Sequence, residues 1–589
     1  MGKLKVFGKL TLVASMLVSF AACTKKQNLD EKVLNLVVAS EVKGMDPIYA
    51  NDLYSSNEVA RVYEGLLEYE YLKRPYTLAP NLAESMPEVS ADGLTYTFKI
   101  KAGVFFQDDK AFPNGKGREL VAEDFVYSIK RLADPKLQGL GWWMIDGKIA
   151  GLNEWRDKYS KEDVVDYSET IEGLKALDRY TLQFKLSKPF PQFLYSLAMP
   201  FTFAVAKEVV EFYGKEFLNH PVGTGPFVLP VFTQEKRLTY TKNPTFRKKT
   251  FPSEHSEEFA SIAKENAGKD LPLVEKLVVN IMKEDQPRWL NFQKGNLDFI
   301  SIPKDNFDSA VTPDNGLADT LAKKGISLLI SPQLDVTYVA FNHDMDLFKN
   351  KKLRQAMALA YDSKTSNKLF YNNTAMSAQS IVPPGIAGNM PNYVSPFRER
   401  DLEKAKSLLA EAGFADGKGL PEITYDCPNS TVSRQQGEFF MKNMADIGIK
   451  VKVIQNTWPE LQKKIDKRQV QMWGIAWGAD YPDAENFLQL LYGPNRSPGA
   501  NGSGFNNPQF NELFKKASLM QDTPERTAIY EKLNRMASEE VPIIYGVHRQ
   551  KYTMKHGWLK NYVSTDFDAG QAMYLDVDLT KKAEDLDKL

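Results

Sequence analysis

Few stretches of this chain combine residue types able to do covalent chemistry. The most suggestive is residues 475–493, IAWGADYPDAENFLQLLYG, where the carboxylates Asp480 and Asp483 stand beside Trp477 and Tyr481. Two carboxylates flanking a glycosidic bond can share acid, base and nucleophile roles, their separation setting the stereochemical outcome. Against convergence, Gly478, Ala479 and Pro482 predict a strand running into a turn, where residues three apart need not face one site. Asp483, just ahead of AENFLQLLYG, also has the place of a helix N-cap. Asp480 follows directly on a strand end holding Trp473 and Trp477. The segment therefore offers either an acid/base pair or a single fixed anion next to a cap.

The other candidates are weaker. Five histidines, His220, His255, His343, His548 and His556, show no metal-ligand spacing, and no metal site is expected. VGTGPF holds Gly223 and Gly225, but Pro226 removes a backbone donor and no third glycine completes a phosphate fingerprint. NGSGF, at 501–505, lacks the spacing of a nucleophile elbow. Cys427, after a strand and before Pro428, fits a small buried residue better than a nucleophile. No catalytic residue is assigned.

These residues need positioning elements, and the 589-residue chain is long enough for several domain-sized units. Lys+Arg and Asp+Glu both number 75, so no global field draws in nucleic acid. At the N-terminus Lys3, Lys5 and Lys9 precede the apolar run LTLVASMLVSF and then Ala21, Ala22 and Cys23. This reads as a signal peptide over 1–22, too short to span a bilayer. Ala-Ala-Cys resembles the bacterial lipobox, which would make Cys23 a lipidated N-terminus with a polar tether over 23–32; plain secretion is the alternative.

Further on, VLNLVVAS predicts a strand and SSNEVARVYEGLLEYE a helix capped by Ser55 or Ser56. SADGLTYTFKIKAGVFF predicts a hairpin, and VAEDFVYSIKRLADP an amphipathic helix. NKKLRQAMALAYD is a helix capped by Asn350, and DLEKAKSLLAEAGF one ended by Gly413. From ITYDCP to VQMWGIAWGAD the order is β-α-β-α-β, which favours a largely parallel α/β unit. The charged stretch 247–270 predicts a solvated surface insertion.

In order along the chain, GMDPIYANDLYSSNEVARVYEGLLEYE, LAPNLAESMPEVSADGLTYTFKIKAGVFF, LVAEDFVYSIKR, PVGTGPFVL, KNPTF, LRQAMALAYD, AKSLLAEAGF and WGADYPDAENFL resemble the family 5 extracellular solute-binding proteins of bacterial ABC importers, the oligopeptide and dipeptide type. FQDDKAFPNGKGREL departs from that family's usual pattern after the first hairpin, and the insertion after Arg247 is longer than its pattern suggests.

The resemblance implies an α/β, periplasmic-binding-protein type II-like fold with two hinged lobes plus an additional subdomain. Carried over, lobe I comprises 33–63 with 205–335 and 548–589, the additional subdomain 64–204, and lobe II 336–547. It implies a monomer without cofactor that holds a peptide and delivers it to an ABC permease, tied to the membrane by a lipid. Asp480 takes the family's position for the ligand's α-ammonium group, a charge-assisted contact. An extended peptide would add beside Asn51, Asp52 and Leu53 on one side and Trp477, Gly478 and Ala479 on the other. Trp477, Trp458 and Tyr338 are the expected pocket walls, or else core aromatics. An oligosaccharide or nickel complex as ligand, and more remotely an exported hydrolase using Asp480 and Asp483, are the alternatives.

Overall fold

The computed structural model describes residues 31–230, 232, 237–497, 499–567 and 570–589. The leader and Cys23 lie outside the described residues. Among those described, no helix is long and apolar enough to cross a membrane.

Alternation in VLNLVV buries Leu34 and Leu36 under the strand Val33–Val38, which pairs in parallel with Lys276–Ile281. Arg237–Lys242 and then Phe227–Val228 complete this four-stranded sheet. A second, three-stranded sheet joins Phe299–Ser301, Gln550–His556 and Ile326–Pro332. The predicted hairpin forms as Glu88–Val89 and Thr95–Lys99, continued antiparallel by Thr181–Lys185 and Leu174–Asp178. Helix Ala122–Ala133 packs on those last two strands.

The β-α-β-α-β order folds as read: Ile423–Pro428, helix Thr431–Ala445, Val451–Asn456, helix Trp458–Asp466, Met472–Gly478. The three strands lie parallel, but Asp335–Phe341 adds antiparallel to Met472–Gly478 and Ile543–Tyr545 adds antiparallel to Asp335–Phe341 in turn, so the five-stranded sheet is mixed. Both faces are covered, one cluster holding Val336, Ala340 and Trp473 and the other Val339, Phe341 and Met472. These sets alternate along their strands, as a two-sided sheet requires. The chain passes twice between the three- and five-stranded sheets, from Ile326–Pro332 into Asp335–Phe341 and from Ile543–Tyr545 into Gln550–His556. At this crossing the Arg549 amide donates to Asp335 Oδ1 at 2.9 Å, its guanidinium reaches the other oxygen, and the Gln333 amide donates to the Arg549 carbonyl at 3.0 Å.

Several local expectations change. The helix cap is Asp52, which accepts from the Ser55 amide at 2.9 Å and the Ser55 hydroxyl at 2.9 Å; Ser55 lies inside helix Leu53–Val62. The 247–270 stretch is bound to the body rather than simply solvated. Arg247 pairs with buried Glu64 at 2.6 Å and Lys249 with Glu68 at 2.6 Å, while Phe251 is buried against Tyr71 and Tyr574. VGTGPF is a close-packing turn: a Cβ on Gly223 would stand 2.0 Å from the Val62 carbonyl oxygen, and one on Gly225 2.6 Å from it.

Candidate ligand-binding site

The strand Met472–Gly478 puts Trp473, Ile475 and Trp477 on one face, and its antiparallel partner sets Tyr338 opposite Ile475 and Ala340 opposite Trp473. Helix Trp458–Asp466 presents Trp458, Gln462, Ile465 and Asp466, a spacing that shares one helical face. Leu490, Leu491 and the 499–503 loop help close the space between them, leaving a cavity of about 320 Å³. Tyr338, Trp458, Trp477, Gly478 and Asp480 all line it, and the two carboxylates of its lining, Asp466 and Asp480, are accompanied by no Lys, Arg or His. Met472–Gly478 pairs with Ile423–Pro428 only at Met472 and Trp473. Its remaining residues are laddered on one side alone, so their other edge is available for an added strand.

Asp480 is held by a residue the sequence reading passed over. Asn486, fully buried in helix Glu485–Leu488, donates from Nδ2 to Asp480 Oδ2 at 2.9 Å. Its Oδ1 accepts from the Asp480 amide at 3.0 Å and from Trp477 Nε1 at 3.1 Å. One carboxamide thus fixes both the acid and the indole beside it. Among the described residues no Lys, Arg or His lies within ion-pair distance of Asp480. Burial pushes its carboxyl up to about 6, with the Asn486 hydrogen bond opposing. A buried carboxylate that no cation compensates is costly, and that cost is what raises it.

A second missed feature is an aromatic group from distant parts of the chain. Tyr69 stacks on Phe567 with centroids 4.7 Å apart, and Tyr76 meets Phe567 edge-on at 4.8 Å. Tyr195 lies flat on Tyr481 at 5.6 Å, joining this group to the Asp480 turn. The Tyr69 hydroxyl is buried and without a protein partner; burial raises it well above the usual phenol range, and Tyr195 and Asp480 add to the shift. The clustering of tyrosines in LEYEYLKRPYT was the available signal, but nothing local says which residues they face.

The two aspartates of the opening motif do different things. Asp483 accepts from the Glu485 amide at 2.9 Å, but Ala484 has the N-cap position, so the expected cap is corrected. The Asp483 carboxylate is chiefly paired with buried Arg526, at 2.7 Å. An ion-paired acid and an amide-clamped acid do not form a catalytic couple. Asn51, Asp52 and Leu53 do not line the cavity: Asp52 is engaged as a cap, Leu53 starts a helix, and the Asn51 side chain accepts from Lys43. Ala479 is also absent from the lining, its amide donating to the Leu334 carbonyl at 2.8 Å. Cys427 is buried, its thiol pushed up to about 11 by burial, which suits packing and not nucleophilic attack. Among the described residues no three His, Cys, Asp or Glu are placed to hold a metal.

The family model described as bacterial extracellular solute-binding proteins, family 5 Middle, matches residues 77–499. Heme-binding protein A of Haemophilus influenzae is 28% identical over 588 residues, covering 96% of this chain and 98% of that protein. The dipeptide-binding protein of Escherichia coli is 26% identical, with 92% and 94% covered. Among solved structures, the periplasmic binding protein DppA from Helicobacter pylori in complex with the peptide STSA aligns with a TM-score of 0.73 at 25% identity, over 92% of this chain and 98% of that one. The Escherichia coli murein tripeptide binding protein MppA shares the fold, with a TM-score of 0.72 at 21% identity over 93% and 99%.

Proposed function

Because the chain belongs to the bacterial extracellular solute-binding proteins of family 5, which bind solutes rather than transform them, we propose that this protein captures oligopeptides by their α-ammonium end at Asp480. The observation that carries the reading is an uncompensated carboxylate in an aromatic cavity devoid of basic side chains, beside a strand edge that is open to pairing. Backbone pairing along residues 474–478 then holds ligands of varied sequence, while Trp458, Trp477 and Tyr338 border space for side chains. Relatives named for dipeptides support a peptide ligand, and delivery to an ABC permease is the step that follows capture. On this reading 33–63, 205–335 and 548–589 form one lobe, 336–547 the other and 64–204 the additional subdomain. The lobes close on the ligand across the Asp335–Arg549 crossing. Cys23 carries the lipid that keeps the monomer at the cell envelope, and mass spectrometry of the mature N-terminus checks that assignment.

The heme-binding relative supplies a second reading, and the cavity argues against it. Its lining holds no His, Cys or Met to ligate iron, burial disfavours the phenolate that its Tyr338 would need to do so, and its two carboxylates would repel propionates. Calorimetric titration with tri- and tetrapeptides separates the readings. Binding is expected for free N-termini, with a loss of about 2–5 kcal/mol in Asp480→Ala. Equal affinity for N-acetylated peptides would remove Asp480 from the site, and heme binding without peptide binding would replace the reading.

A further inference from the structure

The cavity holds a second carboxylate that capture of an α-ammonium group at Asp480 leaves unused. Asp466, the last residue of helix Trp458–Asp466, lines the cavity while staying exposed to solvent. Partial burial raises its carboxyl, the nearby Ser497 hydroxyl opposing. Basic residues surround it in the sequence, yet among the described residues none pairs with it. Lys464 is turned to Asp426 at 3.2 Å and Arg468 to Asp344.

The two acids stand too far apart to share one cation. Asp480 lies at the Trp477 end of strand Met472–Gly478, where Asn486 bonds both residues. Asp466 follows Ile465, which meets Trp473 at the other end: a Cβ on Gly502 would stand 2.9 Å from Ile465 Cγ2 and 3.5 Å from Trp473 Cζ2. Four residues of strand separate Trp473 from Trp477, about 13 Å. The wall between them is aromatic and aliphatic, and Trp458, 45% exposed, is left for a ligand to cover.

Such a space suits a long side chain with an apolar stem and a cationic head. The stem packs on Trp473 and Ile465 while the head stays wet beside Asp466, as lysine and arginine arrange themselves at apolar surfaces. The aromatic faces attract the charge as well. An extended chain advances about 3.3–3.6 Å per residue, so with its α-ammonium at Asp480 a basic side chain on the second or third residue covers the remaining span. Resting on the peptide reading above, we propose that Asp466 is a specificity-determining residue, selecting peptides with lysine or arginine at the second or third position.

Calorimetric titration with Ala-Lys-Ala and Ala-Ala-Lys, each against the same peptide with norleucine for lysine, isolates the charge from the stem. At one of these positions the lysine peptide is expected to bind about fivefold tighter at low ionic strength, and less so in high salt, as a partly exposed ion pair does. Asp466→Asn should bring each pair to within about twofold, and Asp466→Lys should make glutamate preferred over glutamine at that position. Lysine and norleucine peptides bound equally by the parent protein, or a lysine preference that survives in Asp466→Asn, would overturn the proposal and leave capture at Asp480 intact. Failure of the peptide reading looks different: Ala-Ala-Ala then goes unbound, or binds as well after N-acetylation, and the role given to Asp466 falls with it.

Discussion

The carboxamide of Asn486 contacts Asp480 twice, donating to its carboxylate at 2.9 Å and accepting from its amide at 3.0 Å, and it also accepts from the Trp477 indole. The acid is therefore aimed before any ligand arrives, which lowers the ordering cost of binding. Asn486→Ala removes three hydrogen bonds around a fully buried position. Peptide affinity is expected to fall by about 1–3 kcal/mol. Titration calorimetry beside a melting curve checks it, since an unchanged affinity would mean that Asp480 needs no such support.

The raised Asp480 carboxyl predicts opposite pH trends for binding and for stability. Ammonium capture requires the ionised form, so affinity should decline as pH falls through about 6. Without ligand, the folded state holds this proton more tightly than the unfolded chain does. Between the ordinary carboxylate value and about 6, the group's contribution to stability therefore falls as pH rises. Asp480→Asn should abolish the pH dependence of binding over that window and stabilise the unliganded protein near neutral pH. Measuring affinity and melting temperature of both forms from pH 4.5 to about 7.5 tests both signs.

Asp483 should behave as a structural acid. Its pairing with Arg526 is buried, and Tyr530 also hydrogen-bonds that guanidinium, at 3.0 Å. Asp483→Ala strands the arginine and should cost about 3–5 kcal/mol of stability. Chemical denaturation measures this. A variant as stable as the parent, but unable to bind peptide, would reverse the roles given to the two aspartates.

Gly223 tests the packing of the turn. Alanine there would place its Cβ 2.0 Å from the Val62 carbonyl oxygen, a backbone atom that cannot swing aside. Gly223→Ala should lower stability by about 2 kcal/mol or more, whereas Gly93→Ala, in a hairpin turn with nothing within 4 Å of the added carbon, should lose only what its left-handed backbone imposes. Comparing the two melting temperatures separates crowding from backbone strain.

Local periodicity and capping chemistry are properties of neighbouring residues, so the sequence alone determined the β-α-β-α-β unit, the Asn350 cap and the helix ending before Gly413. Ordered motifs over most of the chain determined the family. Which faces meet is another matter. Tyr76 and Asp566, hydrogen-bonded at 3.1 Å, lie 490 positions apart, and no short pattern links Tyr195 to Tyr481 or Arg526 to Asp483. Even over six residues, ENFL marked a helix without saying that Asn486 would turn back on Asp480. Ser55 looked like a cap until Asp52 took that place, and residues 247–270 looked solvated because their counter-charges, Glu64 and Glu68, come from far upstream. Tertiary structure decided these points because a charge or ring is satisfied by whatever is nearest in space, and long-range packing sets that.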